Sequence, residues 1–398
     1  MSGFSILIIT LPPLRGGVPT KARILANHLR SVGNRVSIAH YATFSDYRPL
    51  VCPSWSFLSG KKPFVEESQC FGNFQSYAVG CFFPELEFTY YCSSELWRHV
   101  FQNFDRFIIV SGTVLLANPL TEMRVPYFVW CASTVADDRS DRARAMPVFR
   151  RIFDSVCVGP VHRFIEKKIL RSDAHFGCVS SYTKETLIAA GGKKQNFDVI
   201  PIPVNTRIFV PPRHPPSRGI IGFAGRADDP RKNINLLFRA IKILSKKEPN
   251  IKLLLTGEAN PLLQRKIEAL DIVDNVSWVG WLKDHELPNF YQSLDVFVFT
   301  SSKEGLGISG LEAMASGVPV ISTPCGGPLD YVSDGSTGLL VDFDENSLAD
   351  AISKLVIGRG LRNMLGHNGR TMIEEKYNHQ DFEGNIASIW KRVWGDNL

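Results

Sequence analysis

The chain has 8 cysteines, none in a C-x-x-C spacing, and their scatter suggests neither a zinc site nor a disulfide framework. A reduced compartment is the simplest reading. No apolar run approaches the length needed to span a bilayer. The N-terminus has no basic leader and passes directly into the short run Ser5-Ile6-Leu7-Ile8-Ile9-Thr10, too short for a signal peptide. The expected location is therefore cytoplasmic, free or on a membrane surface. No charge of one sign dominates: 45 Lys and Arg against 39 Asp and Glu leave a net +6, too small and too spread to argue for nucleic acid. Disorder is excluded as well, because 44% of the 398 residues are hydrophobic and only 21% charged. That length favours two domains over one.

What is there reads as alternating strand and helix. The run at 4–10 is apolar and β-branched, as a buried parallel strand requires. A loop with Gly16 and Gly17 follows. Ala22, Leu25, Leu29 and Val32 then recur at helical spacing up to Gly33, and 35–42 returns to strand. Residues 43–107 are crowded with aromatics and show no clean period. Strands are predicted again at 106–110, 126–130, 175–180 and 197–204. The proline-rich segment 210–218 reads as a linker, since proline fixes φ and removes a donor. Beyond it, strands are predicted at 219–225, 251–257, 276–280, 295–300 and 319–323. Helices fall between them at 233–247, 260–270, 284–293 and 309–316. Two more follow at 345–355 and 359–375. Strict alternation predicts a parallel, doubly wound sheet.

In such sheets ligands bind at the carboxyl ends of strands. Three strand ends carry unusual residues. After Gly225 come Arg226 and Lys232, a possible diphosphate clamp beside a helix start, or a solvated surface pair. In "TSSKEGLGISGLEAMASG" Glu304 precedes Gly305 and Gly307, whose backbone can approach a ligand closely. Glu312 sits among small and apolar residues, where a charge is costly without a partner. The third end, Gly280-Trp281-Leu282, could border a flat base or simply pack a core.

These blocks, in this order, resemble the retaining glycosyltransferases of family 4, the glycogen-synthase-like or group 1 enzymes. The likeness is good over 175–375, moderate over the first 40 residues and almost absent over 43–130. "EGLGISGLEAMASGVPVISTPCGGPLDYVSDGSTGLLVD" carries most of it, with Glu304 and Glu312 in the family's E-x7-E spacing. The resemblance implies a GT-B fold, two Rossmann-like domains facing across a cleft. An acceptor-binding domain would span 1–208 and a nucleotide-sugar-binding domain 209–376. The tail 377–398 would be helical, crossing back to the first domain. It implies that Arg226 and Lys232 neutralise the donor diphosphate. Glu304 would hold the donor sugar and Glu312 the ribose. The amides of Gly305, Leu306, Gly307 and Ile308 would face sugar and phosphates, and Leu282 the base. Gly16 and Gly17 would approach the phosphates from the first domain. One departure stands out: the position that often carries a histidine in the family is Ala132 here. Nearby Ser133, Thr134, Asp137, Asp138 and Arg139 are weak substitutes.

The expected activity is transfer of a sugar, with retention, from a nucleotide-diphosphate sugar to a hydroxyl acceptor. A lipid-linked saccharide in cell-envelope glycan synthesis is the acceptor class considered. The nucleotide sugar is a co-substrate, and no cofactor or metal is expected: the aspartates at 136–138 and 227–229 read as turn residues. Two rivals remain, a GT-B sugar-nucleotide epimerase and a non-catalytic nucleotide-sugar-binding protein. Finally, 142–171 interleaves Arg142, Arg144, Arg150, Arg151, Arg163, Lys167, Lys168 and Arg171 with Phe149, Ile152, Phe153, Val156, Phe164 and Ile165. That mixture fits either an anionic membrane surface or an ordinary amphipathic helix. Gly159-Pro160 predicts a break within it.

Overall fold

The computed structural model describes residues 3–12, 14, 16–213 and 219–398, with backbone alone at 141–145. Arg142, Arg144 and the linker residues 214–218 thus lie outside the described side chains. The chain divides into two compact units, residues 1–200 with 383–398, and residues 201–382.

The first unit holds eight strands: β1 Ser5–Thr10, β2 Arg35–Tyr41, β3 Val65–Cys70, β4 Phe74–Val79, β5 Arg106–Val110, β6 Tyr127–Cys131, β7 His175–Cys178 and β8 Phe197–Val199. Their order is β3-β4-β2-β1-β5-β6-β7-β8. All pairings are parallel except β3 with β4. β1 is buried along its whole length, with Ile8 opposite Ile38 on one side and Ile108 on the other. β3, in the stretch without a clean period, is polar and exposed over Glu66 to Gln69, because an edge strand buries little. Its glutamates discourage edge-to-edge pairing.

The helix Gly17–Ser31 buries Ala22, Leu25, Ala26 and Leu29, and also Lys21. That ammonium donates to the carbonyls of Ser111 at 3.1 Å and Trp130 at 2.8 Å. Burial lowers its pKa to about 7. The expected break at Gly159-Pro160 does not occur. Helix Val148–Phe153 runs through a π turn, Asp154–Val158, into helix Gly159–Leu170. Gly159 N donates to Asp154 O, five residues back, so the widened turn carries the chain past the proline. The end of the chain belongs to this unit: Trp390 is buried against Phe4 at 5.5 Å, and Arg106 pairs with Asp396.

The second unit is built on β9 Ile220–Phe223, β10 Lys252–Thr256, β11 Val276–Gly280, β12 Val296–Phe299, β13 Val320–Ser322 and β14 Gly338–Leu340. The order β11-β10-β9-β12-β13-β14 is parallel throughout. The chain winds outward from β9 in one direction, then outward from β12 in the other. The order reverses between them, and there a doubly wound sheet opens a crevice at its carboxyl ends. Buried Asp295 ties the opposite end of these two strands, accepting from Gly219 N at 2.6 Å and Ile220 N at 3.0 Å and pairing with Arg362. Both units are Rossmann-like α/β sheets.

Trp390→Ala should lower the stability of the first unit by about 3–5 kcal/mol, the usual cost of removing a buried indole. Urea unfolding followed separately for the two units reads this. An unmoved first-unit transition would show that the terminal helix contributes no packing.

Candidate donor-binding site

The residues singled out at two strand ends meet at the reversal point of the second sheet. Gly225 leaves β9 with φ 135°, a backbone conformation that favours glycine, and Lys232 Cε lies within ordinary contact of it. Asp229 shapes the following loop. Its carboxylate accepts from Arg231 N, Nε and Nη2 and from Arg226 Nη2, at 2.7–3.1 Å. Burial pushes its pKa up, but the Arg231 hydrogen bonds and charge, with Arg226, outweigh this and hold it at about 2. Arg226 remains 58% exposed and so can turn toward a ligand.

The loop after β12 is sewn to this one. Ser302 N donates to Arg231 O and Thr300 Oγ1 to Lys232 O, each at 2.8 Å. Across the seam Lys232 Nζ meets Glu304 Oε1 at 2.5 Å, and Ser301 Oγ donates to the same oxygen at 2.7 Å. Glu304 is fixed by its backbone too, through Cys325 O and Gly327 N. Gly307 then caps the helix Ile308–Ala315 with φ 79°. A side chain at Gly307 would meet Tyr331 Oη at 2.8 Å and the Phe299 ring at 3.0 Å. Tyr331 instead donates to Gly307 O at 2.9 Å. Among the described residues the amides of Leu306, Gly307, Ile308 and Ser309 make no hydrogen bond. Such a helix start receives anions.

Glu312 stands apart from Glu304. It accepts from the buried Tyr291 hydroxyl at 2.7 Å. Burial, opposed by that hydrogen bond and reinforced by Asp284, raises its pKa to about 7. Beyond the other flank of β9 lies a cavity of about 250 Å³ lined by Gly225, Arg226, Gly257, Asn260, Trp278 and Trp281, among others. Trp278 Nε1 is buried with no partner among the described residues. Leu282 follows Trp281 but does not line this cavity. Gly16 and Gly17 belong to the first unit, at the start of its first helix. Sequence reasoning missed Ser301, Tyr291 and Tyr331, whose roles come from contacts distant along the chain. It also passed over the Asp-x-Asp spacing at Asp342 and Asp344. Asp344 serves there as a helix cap, accepting from Ser347 N at 2.8 Å. Among the described residues no cluster of three His, Cys, Asp or Glu could hold a metal ion.

The fold has counterparts among solved structures. Sucrose-phosphate synthase from Thermosynechococcus elongatus matches with a TM-score of 0.75 at 20% identity, covering 98% of this chain and 99% of the other. Anabaena HepE, solved with UDP and glucose, gives 0.73 at 16% identity, covering 98% and 100%. The architecture is GT-B. Residues 204–372, most of the second unit, match the family model of the glycosyl transferases group 1. The Staphylococcus aureus capsular polysaccharide biosynthesis glycosyltransferase CapM is 35% identical over 177 residues, 43% of this chain and 45% of the relative. A GDP-mannose-dependent alpha-(1-6)-phosphatidylinositol monomannoside mannosyltransferase of Mycobacterium tuberculosis is 28% identical over 251 residues, 58% of this chain and 65% of the relative. The matched part thus spans about half to two thirds of these curated relatives.

Glu312 yields a pH test. A carboxyl raised from 4.5 to about 7 costs stability as pH climbs through that window, fully above it. Glu312→Gln should therefore raise the melting temperature near pH 8 by a few degrees, with the gain vanishing toward about pH 4.5. Thermal unfolding at both pH values checks this. An equal gain at each would remove the raised pKa from the account.

Proposed function

We propose that the protein is a retaining glycosyltransferase that moves a sugar from a nucleotide-diphosphate sugar to a hydroxyl acceptor without a metal ion. One observation carries the reading: Arg226, Lys232, Glu304 and the unbonded amides from Leu306 onward belong to two loops sewn together at the carboxyl ends of β9 and β12. Cations and open amides suit a diphosphate, and a carboxylate beside them suits sugar hydroxyls. Glu312 would take the ribose and Leu282 would touch the base. The acceptor hydroxyl attacks the anomeric carbon from the face that the diphosphate leaves. Its proton passes to a donor phosphate oxygen, so no side-chain base is needed. Arg226, Lys232 and the amides meet the charge as it develops on the leaving oxygen.

The names of similar proteins support this reading: one acts in capsular polysaccharide biosynthesis, one on a phosphatidylinositol monomannoside, and HepE was solved with UDP-glucose. The acceptor class proposed is a lipid-linked saccharide of cell-envelope glycan synthesis, glycosylated at the cytoplasmic membrane face. No described helix is long and apolar enough to cross a membrane, so contact there would be peripheral.

Glu304→Ala should abolish transfer without unfolding the chain, and near-normal kcat would sink the role. Arg226→Ala and Lys232→Ala should each lower kcat/KM by about 10²-fold or more, as loss of one oxyanion-type donor does. The two losses should not add, since both cations serve one diphosphate. Losses of about twofold would return them to the solvated surface. A thermal-shift screen with UDP-, GDP-, ADP- and TDP-sugars identifies the donor. Nucleotide release is then followed with and without acceptor extract, in excess EDTA. Release that needs the acceptor and survives EDTA is expected. An altered sugar without acceptor would indicate epimerisation, and binding without turnover a non-catalytic role. Loss in EDTA, restored by Mn²⁺ or Mg²⁺, would overturn metal independence.

A further inference from the structure

The first unit exposes large apolar side chains in two places. One is the helix that runs through the π turn, where Phe149, Val156 and Phe164 are 89%, 74% and 71% exposed and Ile152 is exposed beside them. Phe149, Ile152 and Phe153 follow a three-four spacing and so share one side. The buried side of the same helix carries Asp154, Val158, His162, Ile165 and Ile169. An ordinary surface helix hides its apolar stripe. This one hides one stripe and displays another. Exposed Arg151, Arg163 and Lys167 flank the display, with no carboxylate partner among the described residues.

The second place lies after β2, in the aromatic stretch without a clean period. Leu58 is 93% exposed and Trp55 64%, with Phe57 and Phe82 partly exposed beside them. Phe57 packs on Phe82 and Phe83 at 5.9 and 5.5 Å, and Trp55 on Phe44 at 5.6 Å, so the tips rest on an aromatic base. Lys61 and Lys62 are nearby, but Glu66 and Glu67 follow on β3, leaving this place nearly neutral.

The two places are neighbours. Ser54 N donates to Glu85 at 2.8 Å, and Arg150 reaches Glu87 at 2.5 Å. Two residues of one segment thus hold both. The three segments involved follow β2, β4 and β6, which are parallel, so all leave the sheet at its carboxyl edge. The loop of Gly16 and Gly17 follows β1 at that same edge.

We propose that this two-lobed face seats the first unit on an anionic lipid bilayer. The lobe at 149–167 supplies charge attraction and apolar insertion together, and the lobe at 55–58 inserts with little charge. An apolar display of this size ringed by unpaired cations matches headgroups above acyl chains. It rests on the functional reading only for its purpose, which is to bring a lipid-linked hydroxyl to the edge where β1 ends. Vesicle binding itself requires no sugar transfer.

The full chain is sedimented with phosphatidylcholine vesicles, with or without about 30 mol% phosphatidylglycerol, at low and high salt. Binding is expected only with the anionic lipid, and weaker in salt. Trp55→Ser with Leu58→Ser should lower it at least about tenfold while leaving the salt dependence intact. Arg151→Gln, Arg163→Gln and Lys167→Gln together should weaken it and flatten the salt dependence. All these side chains are exposed, and an unchanged melting temperature confirms folded variants. Absence of wild-type binding overturns the proposal. So does binding indifferent to Trp55 and Leu58, or self-association that the same substitutions abolish. Nucleotide release with a detergent-dispersed acceptor, read on the same variants, tests the transferase reading separately. It can fail while vesicle binding stands, or stand while binding fails.

Discussion

Two carbonyl oxygens, those of Arg231 and Lys232, accept from the loop after β12 and so bridge the place where the second sheet changes winding direction. They join the loops that leave β9 and β12, two strands already paired in the sheet. With them, Lys232 reaches Glu304, Ser301 steadies the same carboxylate oxygen, and the helix start at Gly307 is set beside both. Asp229 and Tyr331 act one step back, shaping the loops rather than facing a ligand. Asp229 orders the cation loop at a low carboxyl pKa, while Glu312 sits in surroundings that favour its neutral form. Two acids of the second unit are thus tuned in opposite directions, one by arginines and one by burial.

Much of the frame was legible in the sequence because parallel strands buried on both faces write themselves as apolar runs. β1, β5 and β12 are examples: SILIIT, RFIIV and VFVF can hardly be anything else. β3 was not legible, since VEESQC on an exposed edge has no apolar face to alternate. The helix across Gly159 was misread for a different reason. Proline reports a lost hydrogen bond, but not that a wider turn can absorb the loss. Of the site, Arg226, Lys232, Glu304 and Glu312 could be singled out by residue type and place on the chain. Tyr291 and Tyr331 could not, because nothing local distinguishes a tyrosine that props a distant carboxylate or glycine from one that fills a core. Lys21 is the converse, a lysine in an apolar helical pattern whose partners are backbone carbonyls that sequence cannot display.

The π turn at Asp154–Val158 has a consequence for winding phase. Each residue advances an α-helix by about 100°, and a π turn absorbs roughly one residue without that advance. Past the turn, His162, Ile165 and Ile169 hold the inward-facing azimuth. Excising a single residue from within the π turn would tighten it to ordinary α geometry and leave that azimuth unchanged. The same excision a turn or two later would swing the end of the helix by about 100°, bringing lysine toward the core and isoleucine toward water. The helix thus contains one short stretch tolerant of shortening, bounded by sequence in which length is fixed.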